Sequence, residues 1–279
     1  MKIIYKKYGQ AFHDLRVQKN ISLSYFEKQG IATKSSLSNF ENGKSMLSFS
    51  VLDEALQALQ VSLFDYSLVV NNGNLDDFQE VFLNLEEAYF QRNRKVLQNV
   101  YQEYKTEGEL WELVALSAKA SYTSLTQREK KTVEKFLKGI QVWGIFELYV
   151  LNNTIFQIDK SLLYRIFNDF WQINQDYNKV QSYRVLVLRT LFKGCLRFID
   201  EEDKVIVQLN LERSREILHP TDIFNRVLIS FIEGYFSYKF IDVLKGKKQM
   251  KQTLKYLKSI QAMEIYNTLK WYYDTRISE

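Results

Sequence analysis

The residues with the clearest chemical potential lie four apart between positions 34 and 39. Lys34 with Ser38, and Ser35 with Asn39, share one face of any helix drawn through them, while Leu37 and Phe40 turn to the other. A face of short donors and acceptors with one lysine suits a DNA major groove. Serine and asparagine can bond base edges there, and lysine can reach guanine or a phosphate. The same pattern also fits a helix side that simply meets water. Other reactive residue types do not assemble into a site. His13 and His219 supply no Ser-His-Asp constellation, and neither a Gly-rich phosphate loop nor metal-spaced Cys and His occurs. The carboxylate pairs Glu86-Glu87 and Glu201-Glu202 read as solvated helix surface. Cys195, within Leu-Phe-Lys-Gly-Cys-Leu-Arg-Phe, reads as a packed core thiol, with a redox switch as the alternative. The expectation is a non-enzyme with no metal and no cofactor.

Positioning such a face requires a small helical domain, and the first 70 residues predict one of five helices. Tyr8, Phe12 and Leu15 form the apolar stripe of the first, which ends at Lys19-Asn20. Ser22 is placed to cap a second through Gln29, with Leu23 and Phe26 inward and Gly30 as its stop. After Ile31-Ala32, Thr33 caps the third, which runs to Asn42 before Gly43. Ser50 with Asp53, and Ser62 with Asp65, supply the cap and third-position acid of two more. The short turn between the second and third helices is the spacing of a helix-turn-helix. Asn42-Gly43-Lys44 puts backbone amides and a cation where a phosphate would sit. Arg16 and Glu41 can pair, tying the first helix to the end of the third.

Composition supports helices throughout. One proline and ten glycines in 279 residues are too few for the turns of a sandwich or barrel, while 46% hydrophobic and 15% aromatic residues supply a core. The net charge of +5 is a weak pointer to nucleic acid, since residues 1–66 hold 8 Lys/Arg against 6 Asp/Glu. A single cysteine excludes an internal disulfide and fits a reducing compartment. No apolar run approaches the roughly 20 residues that span a bilayer, and residues 1–7 lack a signal peptide's apolar core. A cytoplasmic protein without a membrane partner is expected.

From Tyr8 to Tyr66 the chain resembles the helix-turn-helix domain of phage repressors and of the xenobiotic-response-element (XRE) family. The residues carrying this are Leu15-Arg16, Ser35-Ser36-Leu37-Ser38-Asn39-Phe40-Glu41-Asn42-Gly43-Lys44, and Leu56 through Phe64. The resemblance implies base contacts from Lys34, Ser35 and Asn39, and phosphate contacts from Ser24, Ser36 and Lys44. It implies that Arg16 and Glu41 pair for stability rather than readout. Double-stranded DNA is the partner expected.

Beyond Asn71-Asn72-Gly73-Asn74, the most loop-like stretch, a second domain over residues 71–279 is expected. Phe78, Phe82, Leu85 and Tyr89 form one helical stripe, as do Val133, Phe136, Leu137 and Ile140. Leu162, Leu163, Ile166, Phe167 and Phe170 form another, and Thr126 with Glu129 is a capping box. Roughly ten helices in pairs predict a superhelical stack of TPR-like hairpins, whose concave side suits an extended peptide. Glu147, Asn153 and Arg184 are the polar candidates for that side, because a buried amide must find partners and can take both N–H and C=O of a peptide. Alternatively, Asn153 bonds a neighbouring helix and Glu147 pairs with a lysine across a hairpin. Phe231, Tyr235 and Tyr238 could be core or ligand pocket. Trp271, Tyr272 and Tyr273 could close the last repeat or dock a partner.

The whole chain is similar to the Rgg-type regulators. Ser-Met-Leu-Ser-Phe at Ser45 to Phe49 with Leu52, the stretch Trp143 to Asn153, and Ile229 to Tyr238 carry the likeness. It implies a homodimeric transcription regulator, controlled in several members by short peptide pheromones. A stand-alone regulator whose body serves dimerisation or RNA polymerase contact, and a protein-interaction scaffold, remain as rivals.

Overall fold

The computed structural model describes residues 4–74, 76–173 and 175–277, with side chains except at 4, 5, 169–173, 175 and 176. Every regular element among them is helical. The chain divides into two compact units, Met1–Asp77 and Phe78–Glu279.

The first unit holds α1 (Ile4–Gln18), α2 (Leu23–Lys28), α3 (Lys34–Glu41), α4 (Phe49–Ala58) and α5 (Leu63–Val70). Its centre is three fully buried rings, with Phe12 of α1 lying 5.7 Å from Phe26 of α2 and 5.8 Å from Phe40 of α3. Gly9 lets α1 approach α3, because a Cβ there would stand 1.9 Å from the Phe40 carbonyl oxygen. The Tyr66 hydroxyl donates to the Tyr8 carbonyl at 2.8 Å and fastens α5 to α1. Thr33 Oγ1 accepts from the Ser36 N–H, and Ser62 with Asp65 forms a reciprocal capping box. One cap differs from expectation. Ser48, not Ser50, caps α4 by accepting from the Val51 N–H, which leaves Ser50 inside the first turn. Ser22 precedes α2 in extended conformation without a side-chain cap bond.

The second unit comprises α6 (Asp77–Phe90), α7 (Arg94–Tyr104), α8 (Glu109–Ala120), α9 (Gln127–Lys138), α10 (Ile145–Thr154), α11 (Lys160–Ile173), α12 (Gln181–Asp200), α13 (Lys204–Ile217), α14 (Ile223–Phe240), α15 (Val243–Ser259) and α16 (Met263–Arg276). A 3-10 turn at Gln175–Lys179 leads into α12. Consecutive helices pair as hairpins, α7 with α8, α12 with α13 and α14 with α15. The helices α8, α10, α12 and α14 also pack on one another in series, which makes the inner layer of a helical-hairpin stack. The tightest pair is α14 with α15, where Gly234 faces Gly246 and a Cβ on Gly246 would lie 2.2 Å from the Tyr238 amide nitrogen.

The apolar stripes become core. Phe82, Leu85, Val133, Leu137, Leu162, Leu163, Ile166 and Phe167 are buried. Ile140 falls beyond the end of α9, and the side chain of Phe170 lies outside the described residues. Thr126 and Glu129 form the expected capping box, and Glu129 also receives Lys119 of α8 at 2.6 Å, so one carboxylate caps α9 and joins it to its neighbour. Phe231 and Tyr235 are core residues. Cys195 is buried, and burial pushes its thiol up to about 12, which makes it an inert packing group.

Candidate functional site

In the first unit, α3 is seated by its back. Leu37, Phe40 and Glu41 are buried, while Lys34, Ser35 and Asn39 are exposed on the opposite side with Lys44 just past the helix end. Ser24 and Ser36 are half-buried nearer the α2–α3 turn. No other described residue hydrogen-bonds the side chains of Lys34, Ser35 or Asn39, so their donors and acceptors face outward. The turn itself is fixed by Glu27, whose Oε1 accepts the Lys34 N–H at 3.1 Å. Past α3, Gly43 takes the left-handed conformation (φ +70°), and a Cβ there would press on Lys6. The Lys44 N–H turns back onto the Asn39 carbonyl at 2.8 Å.

Beneath this face Arg16 and Glu41 are paired. Arg16 Nε donates to Glu41 Oε1 at 2.6 Å and Nη2 to Oε2 at 2.9 Å, and Nη1 donates to the Ile21 carbonyl. His13 Nδ1 lies 3.0 Å from Glu41 Oε2, a third member that the sequence pattern did not reveal. Burial works against charge on Glu41, but the bonds and charges of Arg16 and His13 hold its carboxyl below the usual range. The network locks α1, the α1–α2 turn and the end of α3 together. Within it the Arg16 guanidinium is spent on Glu41 and the Ile21 carbonyl.

The second unit holds a cavity of about 40 Å³ between α6, α10, α12, α14 and α16. Phe82, Phe90, Leu186, Phe192, Phe224 and Leu269 supply apolar wall. In its wall the Tyr89 and Tyr272 hydroxyls meet at 3.1 Å, joining α6 to α16, and Arg189 of α12 pairs with Glu86 of α6. Phe82 stacks flat on Tyr149 at 4.7 Å, bringing α6 onto α10.

The three sequence-derived candidates in this unit separate. Asn153 lines the cavity, with its Nδ2 bonded back to the Tyr149 carbonyl at 2.9 Å. Glu147 and Arg184 do not line this cavity. Glu147 accepts the Gly144 N–H at 2.9 Å and caps its own helix, because glycine offers no side chain to do so. Arg184 is buried, pairs with Asp222 at 2.8 Å and holds the Asn178 carbonyl. Burial disfavours charge on Asp222, yet Arg184 and the His219 N–H keep its carboxyl below the usual range. Glu86 was expected on a solvated surface and instead faces Arg189. Sequence reasoning missed Arg189 and Lys193. Arg189 and Lys193 at i and i+4, set among Leu186, Leu191 and Phe192 on a helix that also carries Arg184 and Arg197, were the available signal.

A helix-turn-helix head with an outward polar α3 and a stacked helical-hairpin body define a two-unit transcription regulator. Comparison with known proteins agrees. A family model for the C-terminal domain of the HTH-type transcriptional regulator Rgg matches residues 91–270, and a helix-turn-helix model matches residues 12–66. This chain belongs to the Rgg family of DNA-binding transcription regulators. The fold is shared with the SHP pheromone receptor Rgg2 of Streptococcus dysgalactiae, in a cysteine-to-serine variant. That match has 20% identity and a TM-score of 0.79 over 98% of this chain and 100% of that one. A Listeria monocytogenes EGD-e protein assigned to transcriptional regulation matches at 18% identity and a TM-score of 0.78, over 99% of this chain and 100% of that one.

Proposed function

We propose that this protein reads a DNA operator with Lys34, Ser35 and Asn39, docks on phosphates through Ser24, Ser36 and Lys44, and is switched by a short apolar peptide bound in its second unit. The observation that carries the DNA assignment is the outward, unpartnered face of α3 above the Arg16–Glu41 support. As a homodimer it would set two copies of α3 in successive major grooves, about 34 Å apart on a two-fold-related site. The cytoplasm is the compartment in which such a protein meets DNA, and no described helix is long and apolar enough to cross a membrane.

Peptide control is supported by the apolar cavity and by the likeness to a pheromone receptor. A volume near 40 Å³ holds little more than water, so on this reading the wall helices move apart as a peptide enters. That movement gives the ligand two arrangements to distinguish, the condition for shifting an equilibrium. The small volume of the cavity equally favours a second reading, a stand-alone regulator whose body makes a dimer or polymerase contact.

Footprinting on DNA flanking the protein's own gene, with and without short peptides concentrated from spent medium, separates these readings. Protection that changes with the peptides supports the switch. Unchanged protection leaves the stand-alone regulator, and no protection even at low salt removes the DNA assignment.

A further inference from the structure

The charged residues lining the cavity do not balance. Glu86 stands against Arg189 and Lys193, leaving one excess positive charge inside a largely apolar wall. Glu86 is already paired with Arg189. Lys193 Nζ donates to the Asn152 carbonyl at 3.1 Å and to Asn152 Oδ1 at 2.8 Å, which uses two of an ammonium's three donors. The Tyr89 ring lies 4.8 Å away, and no described carboxylate pairs with the ammonium. Four residues earlier, one helical turn, Arg189 Nε is buried without a hydrogen-bond partner, its guanidinium resting over the Phe224 ring at 5.5 Å. Lys193 is half-buried and feels Glu86 only at a distance; a cation withdrawn from water without a paired counter-ion is costly, as is a buried N–H without an acceptor. Burial indeed pulls the Lys193 ammonium down to about 8. Both deficits lie on one face of α12, and a carboxylate, with two acceptor oxygens, answers both.

We infer that the ligand of this cavity carries a carboxylate that seats between Lys193 and Arg189, its apolar remainder lying against the aromatic wall. The inference rests on the peptide reading above. The carboxylate could be a peptide's C-terminus or an acidic side chain. A neighbouring groove, lined by Arg92 and Arg94 with no acid, is the competing seat.

The test uses full-length protein and three pools of short N-acetylated apolar peptides. One pool ends in a free carboxylate, one in an amide, and one in an amide with a single internal Asp; retention is read by affinity-selection mass spectrometry. Wild type should retain the free-acid pool, or the Asp-bearing pool, over the plain amide, which also tells the two sources apart. Lys193→Met should lower that retention roughly 30-fold, and Lys193→Arg should restore most of it. A thermal melt matching wild type shows that the variants fold.

Equal retention of acid and plain amide by wild type would overturn the carboxylate assignment while leaving peptide binding intact. Discrimination that survives Lys193→Met but is lost in Arg92→Met/Arg94→Met would move the carboxylate to the neighbouring groove and equally overturn it. Retention of no pool would sink the peptide reading, and this inference with it.

Discussion

Gly9 sits so close to Phe40 that a single methyl group at its Cα would come within 1.9 Å of the Phe40 carbonyl oxygen. Backbone, not a flexible side chain, is what the methyl would meet, so α3 would have to move away from α1. Overpacking of this kind costs about 3 kcal/mol. Gly9→Ala should therefore destabilise the first unit by that order and displace the reading face. Hydrogen exchange on α1 and α3, followed in the intact protein, checks it; unchanged protection would show that the two helices are not locked.

The Arg16–Glu41 pair makes the same unit sensitive to acid. Because the folded pKa of Glu41 is lowered, its stabilising effect is complete above the ordinary value of 4.5 and is lost as pH falls through the lowered one. Arg16→Ala strands a buried carboxylate and should cost about 3 kcal/mol at neutral pH. With Arg16 gone, exchange in α1 and α3 should change less on acidification. An equal acid response in variant and wild type would remove the pair as its source.

Base and phosphate contacts separate by salt. Asn39→Ala should weaken an operator by about 1–3 kcal/mol with little change in salt dependence. Lys44→Ala should weaken all duplexes alike and reduce the slope of log K against log salt by about 1. Titrations of operator and scrambled duplex at several salt concentrations measure both, and reversed behaviour of the two variants would exchange their roles.

The features legible in the sequence are local or nearly so. Ser62 with Asp65, Thr126 with Glu129, and the alternation of Leu37 and Phe40 with Ser35 and Asn39 all sit within one or two helical turns. The pattern points to Ser50 rather than Ser48 because two serines at the same helix start offer the same cap chemistry, and only the backbone shows that Ser48 is the extended one. The body's polar groups were opaque for a different reason. Glu86 meets Arg189 across 103 residues and Tyr89 meets Tyr272 across 183, partners that no helical period reveals. Glu147 and Arg184 were recognised as buried-type polar residues, but whether such a group serves a cap, an ion pair or a cavity depends on what the fold brings opposite it.

The Lys193 ammonium, near 8 in the ligand-free protein, predicts how affinity depends on pH. Facing it are Glu86 and Tyr89 from α6, Tyr149 from α10, Arg189 on its own helix and Tyr272 from α16; α14 presents Phe224 and Leu228. Burial raises the three tyrosines out of this range. A bound carboxylate would raise the lysine's pKa, so Kd should be flat from about pH 5 to about pH 8 and weaken above it by up to roughly tenfold per pH unit. Calorimetry in buffers of different ionisation enthalpy would register the proton uptake, and Lys193→Met should abolish it. A pH-independent Kd in wild type would contradict a charged Lys193 at the ligand.

Sequence-specific DNA recognition by α3 is tested most directly by selection from a random duplex library with the full-length protein, wild type beside Asn39→Ala. Wild type should enrich one motif, with two half-sites about one helical turn apart, and Asn39→Ala should lose preference at one position in each half-site while still binding DNA at low salt. Enrichment of no motif, or of the same motif by both proteins, would contradict readout by this face.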